Sequence, residues 1–263
     1  MTTAVQVARF RAATDALSLA ATGEAVALFR EVAQPNPVAV RKALIKGLPA
    51  VLQPYITASG ELSAVWYEDL RREAVGAGFY AEPIDTLADG LVSGIARHAV
   101  SPLFGQGNAT VASLLAGSVQ KAVAGAGRST IDSNVRRDRV KVAYARVPQA
   151  GCCAFCAMLA SRGAVYGSER SAGGVVGRGV EAHRAHSSSG RYIGMRGGGT
   201  KVQGVQALGS QYHSFCRCTA TPVFQGQEVP YDLAKYEEMY SALWSAENGY
   251  HDLSNIRSKY GIR

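Results

Sequence analysis

All five cysteines of the chain fall in two short clusters, Cys152-Cys153-Ala154-Phe155-Cys156 and His213-Ser214-Phe215-Cys216-Arg217-Cys218, and the first 151 residues contain none. A C-x-x-C spacing aims two sulfurs at one point. A second cluster with a histidine and two cysteines can complete a tetrahedral site for Zn²⁺, whose borderline-soft character favours thiolate and imidazole. Cys153 and Cys156 have the usual spacing, and His213 with Cys216 or Cys218 supplies the remaining pair. Five candidates thus compete for four places, and Cys152 is the expected outsider. The same residues admit three other chemistries. Disulfides require oxidising surroundings, which cytoplasmic assembly does not provide. A redox C-x-x-C lacks the βαβ pattern that usually surrounds it. A cysteine nucleophile with His213 as base lacks an oxyanion-hole signature, and carboxylates are scarce around the motifs. His183 and His186, spaced H-x-x-H, are possible extra ligands, although histidines beside Glu181 and Arg184 read more simply as solvent-exposed.

The elements around the clusters must bring them together. Val135 to Val147 alternates, with Val140, Val142, Tyr144 and Arg146 on one face and Arg139, Lys141, Ala143 and Ala145 on the other, which predicts a strand with a mostly polar outer face. The basic group Arg136, Arg137, Arg139 and Lys141 fits nucleic-acid contact or protection of a sheet edge equally well. Tyr212 to Phe224 reads as the second strand, and a structural zinc would tie the two together. Between the clusters, residues 167–210 hold 12 of the 29 glycines, and no packed element is expected there. Formal charge is +4 over residues 1–150, +6 over 151–224 and −2 over 225–263. The excess therefore sits in the Gly-rich stretch, where Arg178, Arg184, Arg191, Arg196 and Lys201 are the candidate contacts to a polyanion.

Ahead of the motifs the pattern is helical. Val5 to Ala21 is the first expected helix, stopped by Gly23, followed by Ala25 to Ala33. Val38 to Leu48 comes next, with Pro49 and Pro54 limiting its continuation. Gly60 opens an amphipathic segment whose stripe is Leu62, Val65, Trp66, Leu70 and Ala74, with Trp66 as a core anchor. Two more helices are expected, Asp85 to Val100 and Asn108 to Ile131, and a tail helix from Tyr231 to Asn248 precedes a short helical piece over Leu253 to Tyr260. The fold class is α+β: a helical domain over 1–130, a small α+β domain over 131–224 with the insertion 167–210, and a helical tail over 225–263. With 263 residues, 47% hydrophobic and 18% charged, the chain can bury at least one core. Disorder throughout is excluded. It has no run of about 18 apolar residues to span a membrane, and Arg9, Arg11 and Asp15 speak against a secretory signal.

Arg146-Val-Pro-x-x-Gly151, the C-x-x-C of Cys153 and Cys156, Met158-Leu-Ala-Ser-Arg-Gly163-Ala-Val-Tyr166 and Tyr212-His213-x-x-Cys216-Arg-Cys218, followed by Pro222-Val-Phe224, resemble the Mu protein F-like minor head proteins of tailed bacteriophages, in the form found in actinobacterial phages. The resemblance covers about residues 135–224, and the Gly-rich insertion departs from the family's shorter members. It implies a minor capsid component acting at the portal vertex in head assembly, DNA packaging or DNA ejection. The portal protein would be its partner, with the major capsid or scaffold protein as further candidates, and it would lie in the capsid interior close to non-specifically contacted DNA. It does not imply an enzyme. The alternatives are a hydrolase, a head maturation protease or nuclease using His213 and a cysteine, and a non-specific DNA-binding module.

Overall fold

Thr3 starts the first helix with a reciprocal cap: its side chain accepts from the Gln6 N–H, and the Gln6 side chain accepts from the Thr3 N–H at 2.8 Å. The structure, a computed structural model, describes residues 2–76, 78–107, 109–149, 152, 154–164, 183–186, 192–196, 218–242, 244–245, 250–251 and 259–260. Helix α1 spans Ala4–Val32 and runs through Gly23, so the two helices expected there are one. A glycine inside a helix costs about 1 kcal/mol, and burial of Ala21 and Ala25 on either side outweighs it.

Helix α2 (Pro37–Val75) is capped by Asn36, whose side chain accepts from the N–H groups of Val38 and Ala39, and it continues through Pro49, Pro54 and Gly60. Each interior proline costs about 3 kcal/mol. Against this stands the unbroken buried row Val40, Leu44, Leu48, Leu52 and Ile56, at a spacing of four, with both prolines off it. Five such side chains at roughly 1.5–3 kcal/mol each exceed the cost of two prolines. Gly60 opens nothing. It lies inside the helix because a Cβ there would land on the Ile84 carbonyl oxygen.

That carbonyl belongs to an extended strap, residues 79–86, laid between α2 and a later helix, α4 (Val111–Arg137). Side chains from both helices satisfy its backbone: Ala81 N–H donates to Glu68 (2.8 Å), Glu82 N–H to Asn134 (3.0 Å) and Ile84 N–H to Thr130 (2.9 Å), while the Asp85 carbonyl accepts from Thr57 (3.0 Å). With its backbone occupied this way the chain at Asp85 does not become helical, and α3 is only Leu91–Ala99. A 3-10 turn over Ser101–Phe104 follows. Helix α4 spans Val111–Arg137, begun by Thr110 rather than by Asn108, which lies outside the described residues.

The strand predicted from Val135 starts later, because α4 occupies the chain to Arg137. Strand β1 (Val142–Val147) pairs antiparallel with β4 (Thr219–Phe224), Val142 opposite Phe224 and Val147 opposite Thr219. There is no polar outer face: β4 is buried throughout, and β1 from Tyr144 onward. Helix α5 (Ala154–Ala160) contacts β1, and α1, α2 and α4 contact β4. Inside the insertion the expectation of no packed element fails. Strands β2 (His183–His186) and β3 (Tyr192–Arg196) pair antiparallel, since Tyr192-Ile193-x-Met195 has strand propensity between Gly/Ser punctuation. The tail helix α6 is confined to Leu233–Ser241, capped by Asp232; short strands β5 (Trp244–Ser245) and β6 (Tyr250–His251) then pair where helix was expected to Asn248. Of the expected last helix, Leu253 to Tyr260, only Lys259 and Tyr260 are described, and they are helical.

The fold is α+β with two apolar cores strung along the same long helices. One combines Val40, Leu44, Leu48, Leu52 and Ile56 of α2 with Ala21 and Ala25 of α1, Ile95 of α3 and Leu115 and Val119 of α4. The other combines Phe10 of α1, Trp66, Tyr67 and Leu70 of α2 and Ile131 and Val135 of α4 with Tyr144, Val147, Leu159 and Phe224. Trp66 is the anchor its stripe predicted, stacked on Phe10 with ring centroids 4.8 Å apart. Residue 130 lies within α4. Between the cores Gly127 lets α4 approach α2, for a Cβ there would sit 2.5 Å from the Ser63 hydroxyl.

Two glycine substitutions should therefore act in opposite directions. Gly23→Ala, with nothing within 4 Å of the new methyl group, should stabilise by about 0.5–1 kcal/mol. Gly60→Ala should destabilise by about 1–3 kcal/mol despite the better helix propensity, because the obstacle is backbone. Urea unfolding midpoints of the two variants check both signs.

Candidate functional site

The register of the ribbon brings Cys152 and Cys156 of the first cluster and Cys218 of the second to one place. Val147 lies opposite Thr219, so the chain leaving β1 toward Cys152 and the chain entering β4 through Cys218 meet at the same end. The Cys152 N–H donates to the Gln149 carbonyl (2.9 Å), turning the chain back into α5, which carries Cys156. Cys156 and Cys218 are buried together, 1% and 4% exposed, and half-buried Cys152 packs against the pair. Tyr231 fastens the far end of α5, its hydroxyl donating to the Ala160 carbonyl at 2.8 Å.

Two arginines from different helices fix this end of the ribbon. Arg11 of α1 donates through Nε to the Thr219 hydroxyl (3.1 Å) and through Nη2 to the carbonyls of Val147 (3.3 Å) and Pro148 (3.2 Å). Arg128 of α4 donates twice to the Cys218 carbonyl, from Nε at 3.2 Å and Nη2 at 3.0 Å. Burial lowers the pKa of the Arg11 guanidinium, against the opposing influence of Cys218, Asp15 and Tyr236. Tyr236 of α6 completes the group: burial first, then Cys152 and Cys218, push its hydroxyl up to about 12. On the helical side, Cys218 and Arg128 also line a cleft of about 390 Å³ with Asp15, Ser18, Ser59, Ser63 and Gln120.

Of the five predicted metal ligands, Cys156 and Cys218 are brought together, while Cys153, His213 and Cys216 lie outside the described residues. Cys152, left aside on spacing alone, stands in the cluster. Among the described residues no group of three His, Cys, Asp or Glu side chains is arranged to hold a metal ion. Of the five predicted polyanion contacts, Arg184 lies on β2 and Arg196 on β3, where His183 faces Arg196 and His186 faces Tyr192 in register; Arg178, Arg191 and Lys201 lie outside the described residues. Two buried sulfurs held at one point can ligate a soft cation or be cross-linked. Arg11 is tied to the same end of the ribbon, through the hydroxyl of Thr219 next to Cys218.

Residues 1–243 match the family of VG15 proteins. The chain belongs to the VG15 protein family. It is thus a phage protein. Neither a curated protein nor a solved structure matches it. No helix among the described residues is long and apolar enough to cross a membrane.

Sequence reasoning missed Arg11, Arg128 and Tyr236 as parts of the site of this VG15 protein. One signal was present. Arg128 ends the small-residue run Ala124-Gly125-Ala126-Gly127, and a long cation among residues that permit close packing is placed to reach across an interface. Nothing local distinguishes Arg11 from Arg9, which lines an outer groove on α1.

Two measurements test the arrangement. Arg128→Met keeps the bulk and strands the Cys218 carbonyl, and should lower stability by about 1–3 kcal/mol in urea unfolding. The raised Tyr236 pKa means that the unfolded chain loses that proton near pH 10 while the folded chain holds it to about 12. Stability should be intact below pH 10 and fall as pH rises toward 12. Tyr236→Phe should flatten that decline without abolishing it, because Tyr67, buried and bonded to Asp138, is raised in the same direction.

Proposed function

We propose that this VG15 protein is a minor capsid component that acts at the portal vertex during head assembly, DNA packaging or DNA ejection. The observation that carries this reading is family membership over residues 1–243, joined to the likeness of the Arg146–Gly151, C-x-x-C and H-x-x-C-R-C motifs to Mu protein F-like minor head proteins. The fold suits such a role. Long helices threading two cores make a stiff body that can dock on a portal ring, and the C-terminal ribbon is fastened to that body rather than hung from it.

Within this reading the cysteine cluster is a structural zinc site. The donor set in view fits: Cys156 and Cys218 are soft ligands already packed together at the closed end of the ribbon. Cys153, His213 and Cys216 are the candidates to complete the shell. Zinc there would supply structural cross-linking without redox chemistry. The basic residues Arg178, Arg184, Arg191, Arg196 and Lys201 would contact packaged DNA without reading its sequence.

Quantitative mass spectrometry of purified particles, with image reconstruction of the portal vertex, tests the placement. The expected result is a few copies per particle, confined to the portal and co-purifying with the portal protein. Absence from the particle, or a copy number matching the major capsid protein, overturns it. Elemental analysis of the freshly purified chain tests the metal: near one zinc per chain, with thiols released on chelation, is expected, and a metal-free chain with five reactive thiols would refute the zinc site.

A further inference from the structure

We propose that the corner between α4 and β1 is a docking point for the phosphate backbone of duplex DNA, with Arg139 and Lys141 as its principal contacts. The proposal rests on the reading that this protein meets packaged DNA, and it places the contact on the folded body instead of the Gly-rich insertion.

Arg136, Arg137, Arg139 and Lys141 crowd into six residues, and all four are exposed. The first two have structural employment. They sit in the last turn of α4, where cations complement the carbonyl end of the helix dipole, and they pair with Asp132 and with Glu82, the latter at 2.6 Å. Arg139 and Lys141 have none of this. As residues of a strand face they would guard a sheet edge, but β1 begins only at Val142. Among the described residues neither makes an ion pair.

Two carboxylates of the corner are turned inward, while a third, Glu82, is exposed and paired with Arg137. Asp138 is 1% exposed and held by Arg71 at 2.8 Å and by the Tyr67 hydroxyl at 3.1 Å, and the Asp132 side chain is 5% exposed. Four exposed cations thus stand against one exposed carboxylate, Glu82, which leaves a net positive outward field suited to a polyanion. The backbone that presents the two cations is pinned. Val140 packs against the core and its N–H donates to Asp138, while the Lys141 carbonyl accepts from Gln225 N–H at 3.0 Å. Residue 140 therefore faces in between two that face out, and little ordering is lost on binding. Next to Phe79, whose ring lies 5.6 Å beneath the Arg137 guanidinium, Tyr80 is 73% exposed and offers a hydroxyl donor of the kind that positions phosphates.

Binding of the full chain to a fluorescent duplex of mixed sequence, followed by anisotropy across a salt series, tests this. The Arg139→Glu/Lys141→Glu and Arg139→Ala/Lys141→Ala variants should each lower the slope of log affinity against log salt by about two, uniformly across sequences, with unchanged thermal melting. A third variant replaces Arg178, Arg184, Arg191, Arg196 and Lys201 by Ala. If only that variant loses slope, the corner is overturned while contact between protein and DNA stands. If the unaltered chain shows no salt-dependent binding, both are overturned. Competition by poly-glutamate as effective as by DNA at equal charge would also overturn the proposal, in favour of an acidic protein segment.

Discussion

The placement of the β1–β4 ribbon depends on two guanidinium groups reaching from the helical bundle to one of its ends. A ribbon of two strands is marginal in water, and this one is buried along all of β4. Its ladder ends at Val147 and Thr219, and the carbonyls just beyond would enter the interior without partners. Arg11 takes those of Val147 and Pro148, and Arg128 takes that of Cys218. Neither interaction is local in sequence. Each satisfies a strand backbone from a helix that packs against the other helices of the bundle, so ribbon and bundle share one buried hydrogen-bond network.

The same device recurs at the other end. Asp138, the residue after α4, takes Arg71 and Tyr67 of α2 and the Val140 N–H of the connector, joining two helices and the approach to β1 in one buried group. A buried ion pair of this kind is weak evidence for net stability but strong evidence for a unique arrangement, since removing one partner leaves the other charged and dry. The strap over 79–86 follows the same rule with one carboxylate and two neutral side chains. Its irregular backbone is accommodated because Glu68, Thr130 and Asn134 supply the missing hydrogen bonds, and Gly60 removes the methyl group that would hold it away.

The sequence made some of this legible and hid the rest for identifiable reasons. The helical character of residues 4–137, the core position of Trp66 and the convergence of Cys156 with Cys218 could all be read from periodicity and spacing. Local punctuation misled. Gly23, Pro49, Pro54 and Gly60 each suggest a helix end, yet each break costs a few kcal/mol at most, whereas the buried row from Val40 to Ile56 persists across the prolines at a spacing of four. Reading the row before the breakers would have given one long helix. The start of β1 was misplaced because the alternation that begins at Arg139 and Val140 was extended back across a helix terminus to Val135, which is out of phase with Val140 and Val142. The ties through Arg11 and Arg128 were invisible because their partners are backbone carbonyls more than 85 residues away, and a carbonyl carries no residue type.

This division bears on what a metal at the cysteine cluster would contribute. In small zinc domains the ion replaces a missing core and the chain is unfolded without it. Here Cys156 and Cys218 are placed by other means: α5 lies against β1 and α6, and Cys218 is set by the Arg128 hydrogen bonds and the first pair of the ladder. Their juxtaposition is a consequence of folding, so it does not require the ion as a cause. Zinc bound there would chiefly close the long excursion of chain between the two clusters, a loop whose entropy cost grows only slowly with length. Loss of the metal should accordingly loosen the end of the ribbon while the bundle, whose core shares no residue with the cluster, stays folded.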